Sequence, residues 1–162
     1  MKWVKQSIHY WCPDTKEHKF LGQNVTVAIL DTGISPHPDF KDRILSFRDF
    51  SSTTGSSEKV LFSFSHFSPL IDNSGHGTHV AGILAGSGLL SSGTYAGIAP
   101  FCNLIIGKVL DQNGNGSIKN VINGIQWIRD IYTQFHIRII NISVGTRPDL
   151  SIHQKLLLLN AV

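Results

Sequence analysis

The sequence predicts an α/β fold, a mostly parallel sheet with flanking helices, on three observations. A short β-branched apolar run at residues 25–30 reads as a strand covered on both faces, 104–110 is a second strand candidate, and 137–142 reads as a third, buried strand. Helical patterns separate them, small and apolar over 77–85 and amphipathic over 117–131. The joints are rich in Gly, Ser, Asn and Pro, the residues of tight turns. Strands alternating with helices in this way call for a parallel sheet.

Each element can be justified in chain order. Residues 1–22 are mixed and polar, with aromatics at Trp3, Tyr10 and Trp11, and read as an N-terminal arm on the surface of one domain spanning 23–162. The first strand runs into Asp31-Thr32-Gly33, and Pro36-His37-Pro38 punctuates the loop that follows. Residues 44–50 are a further short strand candidate, and the Ser-, Thr- and Phe-rich stretch 51–70 reads as irregular surface. After the helix over 77–85, residues 86–97 loosen into a Gly/Ser loop. The second buried strand leads to a glycine-rich turn over 111–116, and Ser117 is placed to cap the amphipathic helix carrying Val121, Ile122, Ile125, Trp127 and Ile128. A last helix is expected from Leu150. The apolar run Leu156-Leu157-Leu158-Leu159 near the end has nothing after it to pack against, so the domain is expected to continue further and, as given, to self-associate through an unpaired sheet edge.

Composition narrows the function classes. A chain of 162 residues is long enough for one domain with a core, since folding at this size removes roughly two-thirds of the unfolded surface from water. The net charge is only +3 and no run of five basic residues occurs, so no nucleic-acid footprint is present. No window approaches the apolar length of a membrane span. No apolar stretch follows the first six residues, so they do not resemble a secretory signal. Cys12 and Cys102 are far apart and read as two reduced thiols, which together with the missing signal points to a cytoplasmic location.

Two residues stand where chemistry is expected. In open α/β sheets, functional groups gather beyond the carboxyl ends of the strands, and Asp31 directly follows a buried run. It is either a structural carboxylate tying the turn through the Thr32 and Gly33 amides or a catalytic one. In Asp72-Asn73-Ser74-Gly75-His76-Gly77-Thr78-His79, His76 begins a helix whose next residues are small. Alone it could be a satisfied packing histidine. Paired with a strand-end aspartate, the imidazole would have one nitrogen fixed and the other free to act as general base.

These segments resemble the subtilisin-like serine proteases (peptidase S8). Val27-Ala28-Ile29-Leu30-Asp31-Thr32-Gly33-Ile34 with His37-Pro38-Asp39-Phe40 is similar to the family's aspartate motif, and Gly75-His76-Gly77-Thr78-His79-Val80-Ala81-Gly82-Ile83 to its histidine motif. Gly97-Ile98-Ala99-Pro100, Lys108-Val109-Leu110 and Asn141-Ile142-Ser143-Val144-Gly145 fall in the family's order, so the likeness runs from about 22 to 146. The resemblance implies a serine endopeptidase acting on peptide or protein substrates. Asp31 would orient the imidazole and His76 would act as general base. Gly114, Asn115 and Gly116 would form one substrate-pairing strand edge, and Ser143, Val144 and Gly145 the opposite edge beside the specificity pocket.

The family's nucleophile lies in a glycine–threonine–serine–methionine–alanine context, and that motif does not occur in these 162 residues. The family's oxyanion-donating asparagine would also lie beyond Val162. The resemblance therefore implies a fragment of the peptidase domain, inert by itself, whose partner is a missing C-terminal portion. The alternative is a non-enzymatic pseudoprotease, or a peptide-binding half complemented by another chain. Three lookalikes fail. The Asp31-Thr32-Gly33 triplet of aspartic proteases belongs to an all-β fold, which the helix over 117–131 contradicts. The EF-hand-like start at Asp111 has Ile122 where a glutamate is needed. His76 and His79 lack the glutamate and spacing of a zinc protease. No cofactor is expected. Calcium, which many subtilisins bind, is left open because residues 89–95 offer no run of oxygen ligands.

Overall fold

The computed structural model describes residues 2–8, 10, 20–51, 60–61 and 71–145. Among these, helix α1 spans Lys2–Ser7, and the sheet begins with β1, Thr26–Asp31. Strands β2 (Ile44–Asp49) and β3 (Val60–Leu61) precede helix α2, His76–Ala85. Then come β4 (Asn103–Lys108), helix α3 (Ile118–Phe135) and β5 (Ile137–Ile142). The sheet order is β3-β2-β4-β1-β5, with β2, β4, β1 and β5 parallel and only β3 antiparallel. The predicted α/β class is the observed one.

The apolar runs are continuous because both faces of β1 and β4 are covered. Ala28, Leu30, Ile105 and Val109 pack on one side against Val121, Ile125, Trp127, Ile128 and Ile131 of α3. Val27, Ile29, Leu104 and Ile106 face the other side, where Ala81 and Ala85 of α2 join Phe40, Phe47 and Cys102. Alternate residues of one strand thus feed two cores, and the buried polar residues of these strands, Thr26, Asp31 and Lys108, stand at their ends. The face of α2 toward the sheet is made of small residues, Gly77, Ala81 and Ala85, whereas α3 brings bulky side chains.

Ser117 does cap α3: its Oγ accepts from the Asn120 amide at 3.1 Å. Ser117→Ala should cost about 1 kcal/mol of stability, read as a lower urea midpoint with unchanged slope. The helix runs past the expected 131 to Phe135, which still packs against the core, and His136 closes it in a left-handed conformation, φ 51°. Strand β4 stops at Lys108, two residues early, since the Val109 and Leu110 amides both turn to the Asp31 carbonyl, at 2.9 and 3.2 Å.

The arm contains a helix that its composition did not signal. Lys5 Nζ donates to the Gly97 carbonyl (2.9 Å) and the Tyr10 hydroxyl to that of Ile98 (2.7 Å), which tie it to the Gly97-Ile98-Ala99-Pro100 segment. Stretch 51–70, expected to be irregular, contributes β3, whose Val60 and Leu61 pair with Phe47 and Ser46. Cys102 is a free, buried thiol, and burial pushes its pKa up. Cys12, Trp11, Leu150 and Leu156 to Leu159 lie outside the described residues. No helix of the described residues is long and apolar enough to cross a membrane. Strand β5, expected to be buried, is not: among the described residues it is the edge of the sheet, with Ile137 covered and Ile139, Ile140 and Ile142 exposed.

Candidate active site

Asp31 is the last residue of β1 and has no accessible surface. His76 is the first residue of α2, which packs on one face of the same sheet, and half of its side chain remains exposed. Their side chains meet: His76 Nδ1 lies 2.7 Å from Asp31 Oδ1. A carboxylate only accepts, so this contact places the proton on Nδ1 and leaves Nε2 with a lone pair. Asp31 Oδ1 also accepts from the Thr32 amide at 2.7 Å. Asp31 thus ties its own turn through the Thr32 amide, one of the two amides expected, and the same oxygen meets the imidazole.

Close approach of the two elements depends on glycine. Gly33 has φ 118°, and a Cβ there would sit 2.1 Å from the Ile71 carbonyl oxygen. A Cβ on Gly77 would sit 2.3 Å from the Gly33 carbonyl oxygen and 3.2 Å from Asp31 Cβ. The backbone of α2 thus touches the backbone leaving β1, and that contact brings His76 within reach of Asp31.

Asp72, in the segment ahead of α2, is a residue to which the sequence alone assigned no part. Its Oδ1 accepts from the Thr32 hydroxyl (2.9 Å) and the Gly75 amide (2.9 Å), and its Oδ2 from the Thr78 amide (2.8 Å) and hydroxyl (2.6 Å). Burial opposes its ionisation, but hydrogen bonds from Thr78, Gly75 and Thr32 outweigh it and hold the carboxyl below its ordinary range. An acidic side chain followed three and six residues later by amides it can accept from was the signal available in the sequence.

The hydrogen bond from Asp31 raises the His76 pKa above its ordinary value, the charge of Asp31 adds to this, burial opposes it, and the charge of Asp72 adds a little more. A raised pKa means that the folded chain binds the proton more tightly than the unfolded one. The corresponding stabilisation is full below the ordinary histidine pKa and is lost as pH rises through the His76 value. His76 should accordingly titrate above the ordinary histidine in an NMR pH series. A midpoint at or below the ordinary value would contradict the pairing.

The remaining predicted residues lie at the same end of the sheet. Strands β4 and β5 flank β1 on either side, so the segments after them leave the sheet on both sides of Asp31. Gly114, Asn115 and Gly116 follow β4 and are exposed. They do not form the strand that the resemblance implies: Gly114 (φ 75°) donates to the Asp111 carbonyl, and the Asp111 side chain accepts from the Asn113 and Asn115 amides. The Asn115 carbonyl in turn accepts from the Asp111 amide at 2.7 Å, so Asn115 is held within the turn, and Gly116 leaves it outside any strand. Ser143 and Gly145, after β5, are exposed and Val144 is half-buried. His79 is exposed on α2. Among the described residues no three His, Cys, Asp or Glu side chains gather where they could hold a metal ion.

Comparison with known proteins decides the family. The profile of the subtilase family matches residues 22–157. This chain belongs to the subtilase family. It is 46% identical over 106 residues to the serine protease AprX of Bacillus subtilis, covering 65% of this chain and 21% of AprX. It is 37% identical over 131 residues to the major intracellular serine protease of the same organism, covering 80% of this chain and 36% of that protease. Among solved structures, the CspB protease of Clostridium perfringens superposes with a TM-score of 0.74 over 92% of this chain and 35% of its own, at 24% identity, a likeness of fold. Sphericase gives 0.68 over 86% of this chain and 41% of its own, at 28% identity. This subtilase chain therefore spans between about a fifth and two-fifths of these four proteins.

Proposed function

We propose that this subtilase chain is the portion of a serine endopeptidase domain that carries the orienting acid, Asp31, and the general base, His76. The contact between Asp31 Oδ1 and His76 Nδ1 carries the reading. Buried Asp31 holds the imidazole in the tautomer with the proton on Nδ1, so Nε2 can take the proton of a serine hydroxyl as that oxygen attacks a peptide carbonyl. The imidazolium so formed is stabilised by the same carboxylate, and Nε2 then returns the proton to the leaving amine. The serine and the oxyanion donor are supplied by polypeptide outside residues 1–162, because the glycine–threonine–serine motif is absent from them. Alone, the chain is inert.

The substrate is an extended peptide. Gly114, Asn115 and Gly116 on one side and Ser143, Val144 and Gly145 on the other offer backbone groups to it by main-chain pairing. The exposed isoleucines of β5 suit the docking of further sheet from the rest of the domain.

Peptide hydrolysis by two proteins tests the proposal: the 162-residue chain, and the same chain fused at its end to the C-terminal portion of the AprX protease domain. The chain alone should be inactive and the fusion active, with activity abolished by His76→Ala. Hydrolysis by the chain alone, surviving His76→Ala, would contradict the assignment. A folded fusion that binds peptide without cleaving it would favour the pseudoprotease alternative.

A further inference from the structure

We propose that Asp72 is a positioning residue for the Asp31–His76 pair, its carboxylate fixing the spacing between the end of β1 and the first turn of α2. The proposal rests on the reading of that pair as catalytic, and it concerns what holds the two groups in register.

The carboxylate closes two short circuits between the elements. In the first, Asp72 Oδ1 accepts from the Thr32 hydroxyl, and Thr32 Oγ1 in turn accepts from the Gly77 amide at 2.9 Å. Thr32 and Gly77 are the direct neighbours of Asp31 and His76. In the second, Asp72 Oδ2 accepts from the Thr78 hydroxyl, whose oxygen accepts from the Ser35 amide at 2.9 Å. Each circuit runs from the loop leaving β1 to the start of α2, and both pass through the one side chain. The Thr78 and Gly75 amides, donating to the same carboxylate, fix α2 to it from its own side.

This arrangement fills a gap left by the start of the helix. Gly75, the residue before α2, has no side chain to cap the helix and adopts a left-handed conformation, φ 85°. Asp72 supplies acceptors from three residues further back, satisfying the Thr78 amide of the first turn and the Gly75 amide before it. A capping side chain on residue 75 could serve the helix but would not reach β1. An acceptor placed at Asp72 serves both, so the helix start and the acid–base geometry are set by one group. The ionisable groups bearing on His76 are Asp31 from β1 and Asp72 from the segment ahead of α2. Removing the second should weaken the proton's hold on the imidazole as well as loosen its position.

The test is proton and nitrogen NMR of the histidine-labelled 162-residue chain and of its Asp72→Asn variant. The unsubstituted chain should show a low-field Nδ1 proton for His76. Asp72→Asn should lower the His76 titration midpoint and lose or broaden that proton, while the amide signals of α3 and β4 stay in place. An unchanged midpoint and proton in Asp72→Asn, or absence of the low-field proton from the unsubstituted chain, would overturn the proposal. If Asp72→Asn does not fold, Thr78→Val and Thr78→Ser read the same link. Loss of the signal in the valine variant with retention in the serine variant supports the role, and retention in both overturns it. Hydrolysis is not needed for this readout, so an inactive fusion protein would count against the protease reading alone, and an unaltered His76 signal against the positioning role alone.

Discussion

In a domain completed by a serine-bearing C-terminal portion, His76→Ala is expected to lower kcat about 10⁶-fold with little change in KM, the scale known for the equivalent histidine of subtilisin rather than one derived from this geometry. The reason lies in the contact between Nδ1 and Asp31 Oδ1, 2.7 Å apart. Without the imidazole, the hydroxyl keeps its proton at neutral pH and no group donates to the leaving amine. Asp31→Asn should cost about 10⁴-fold, because an amide can donate to Nδ1 and leave the proton on Nε2, the wrong tautomer for a base. The double variant should be hardly worse than His76→Ala alone, since both residues serve one proton transfer. Steady-state hydrolysis of a chromogenic peptide measures all three, and a His76→Ala variant within tenfold of the parent would refute the role.

Gly33→Ala is expected to destabilise the chain by about 2–5 kcal/mol, combining backbone strain with overpacking. At φ 118° an L side chain is strained whatever the space, and its Cβ would lie 2.1 Å from a carbonyl oxygen that belongs to the backbone and has little room to yield. Gly77→Ala should be comparably damaging, because its Cβ would press on the Gly33 carbonyl from the other element at 2.3 Å. Gly75→Ala serves as the control. Its φ of 85° also disfavours a side chain, but nothing lies within 4 Å, so only strain of about 1–2 kcal/mol is expected. Urea unfolding of the three variants should therefore rank Gly75→Ala mildest. Equal midpoints for Gly33→Ala and the parent would show that α2 does not sit where this account puts it.

The sheet was legible because β1 and β4 are buried on both faces, and such strands must be continuously apolar. Asp31 and His76 were legible from their places beside elements, one after a buried run and one before a helix of small residues. Less was readable where the determining contacts are distant in sequence. Asp72 lies 40 residues from Thr32, and nothing in either segment states that their side chains meet. The close approach of Gly33 and Gly77 is likewise a matter of backbone contact, which glycine permits without announcing. Strand β3 escaped notice because two residues are too few for a pattern, and α1 because a six-residue helix has little periodicity to show. The segment Gly114-Asn115-Gly116 was expected as a strand, yet a turn built on Asp111 takes up Gly114 and Asn115 through backbone and side-chain bonds.

Mass spectrometry of a serine-directed fluorophosphonate adduct, formed on the chain alone and on its fusion with a C-terminal subtilase portion, tests most directly where the nucleophile lies. The account predicts no specific adduct on residues 1–162, and in the fusion a single adduct on the added serine that disappears with His76→Ala. A stoichiometric adduct on any serine of residues 1–162, dependent on His76, would contradict it.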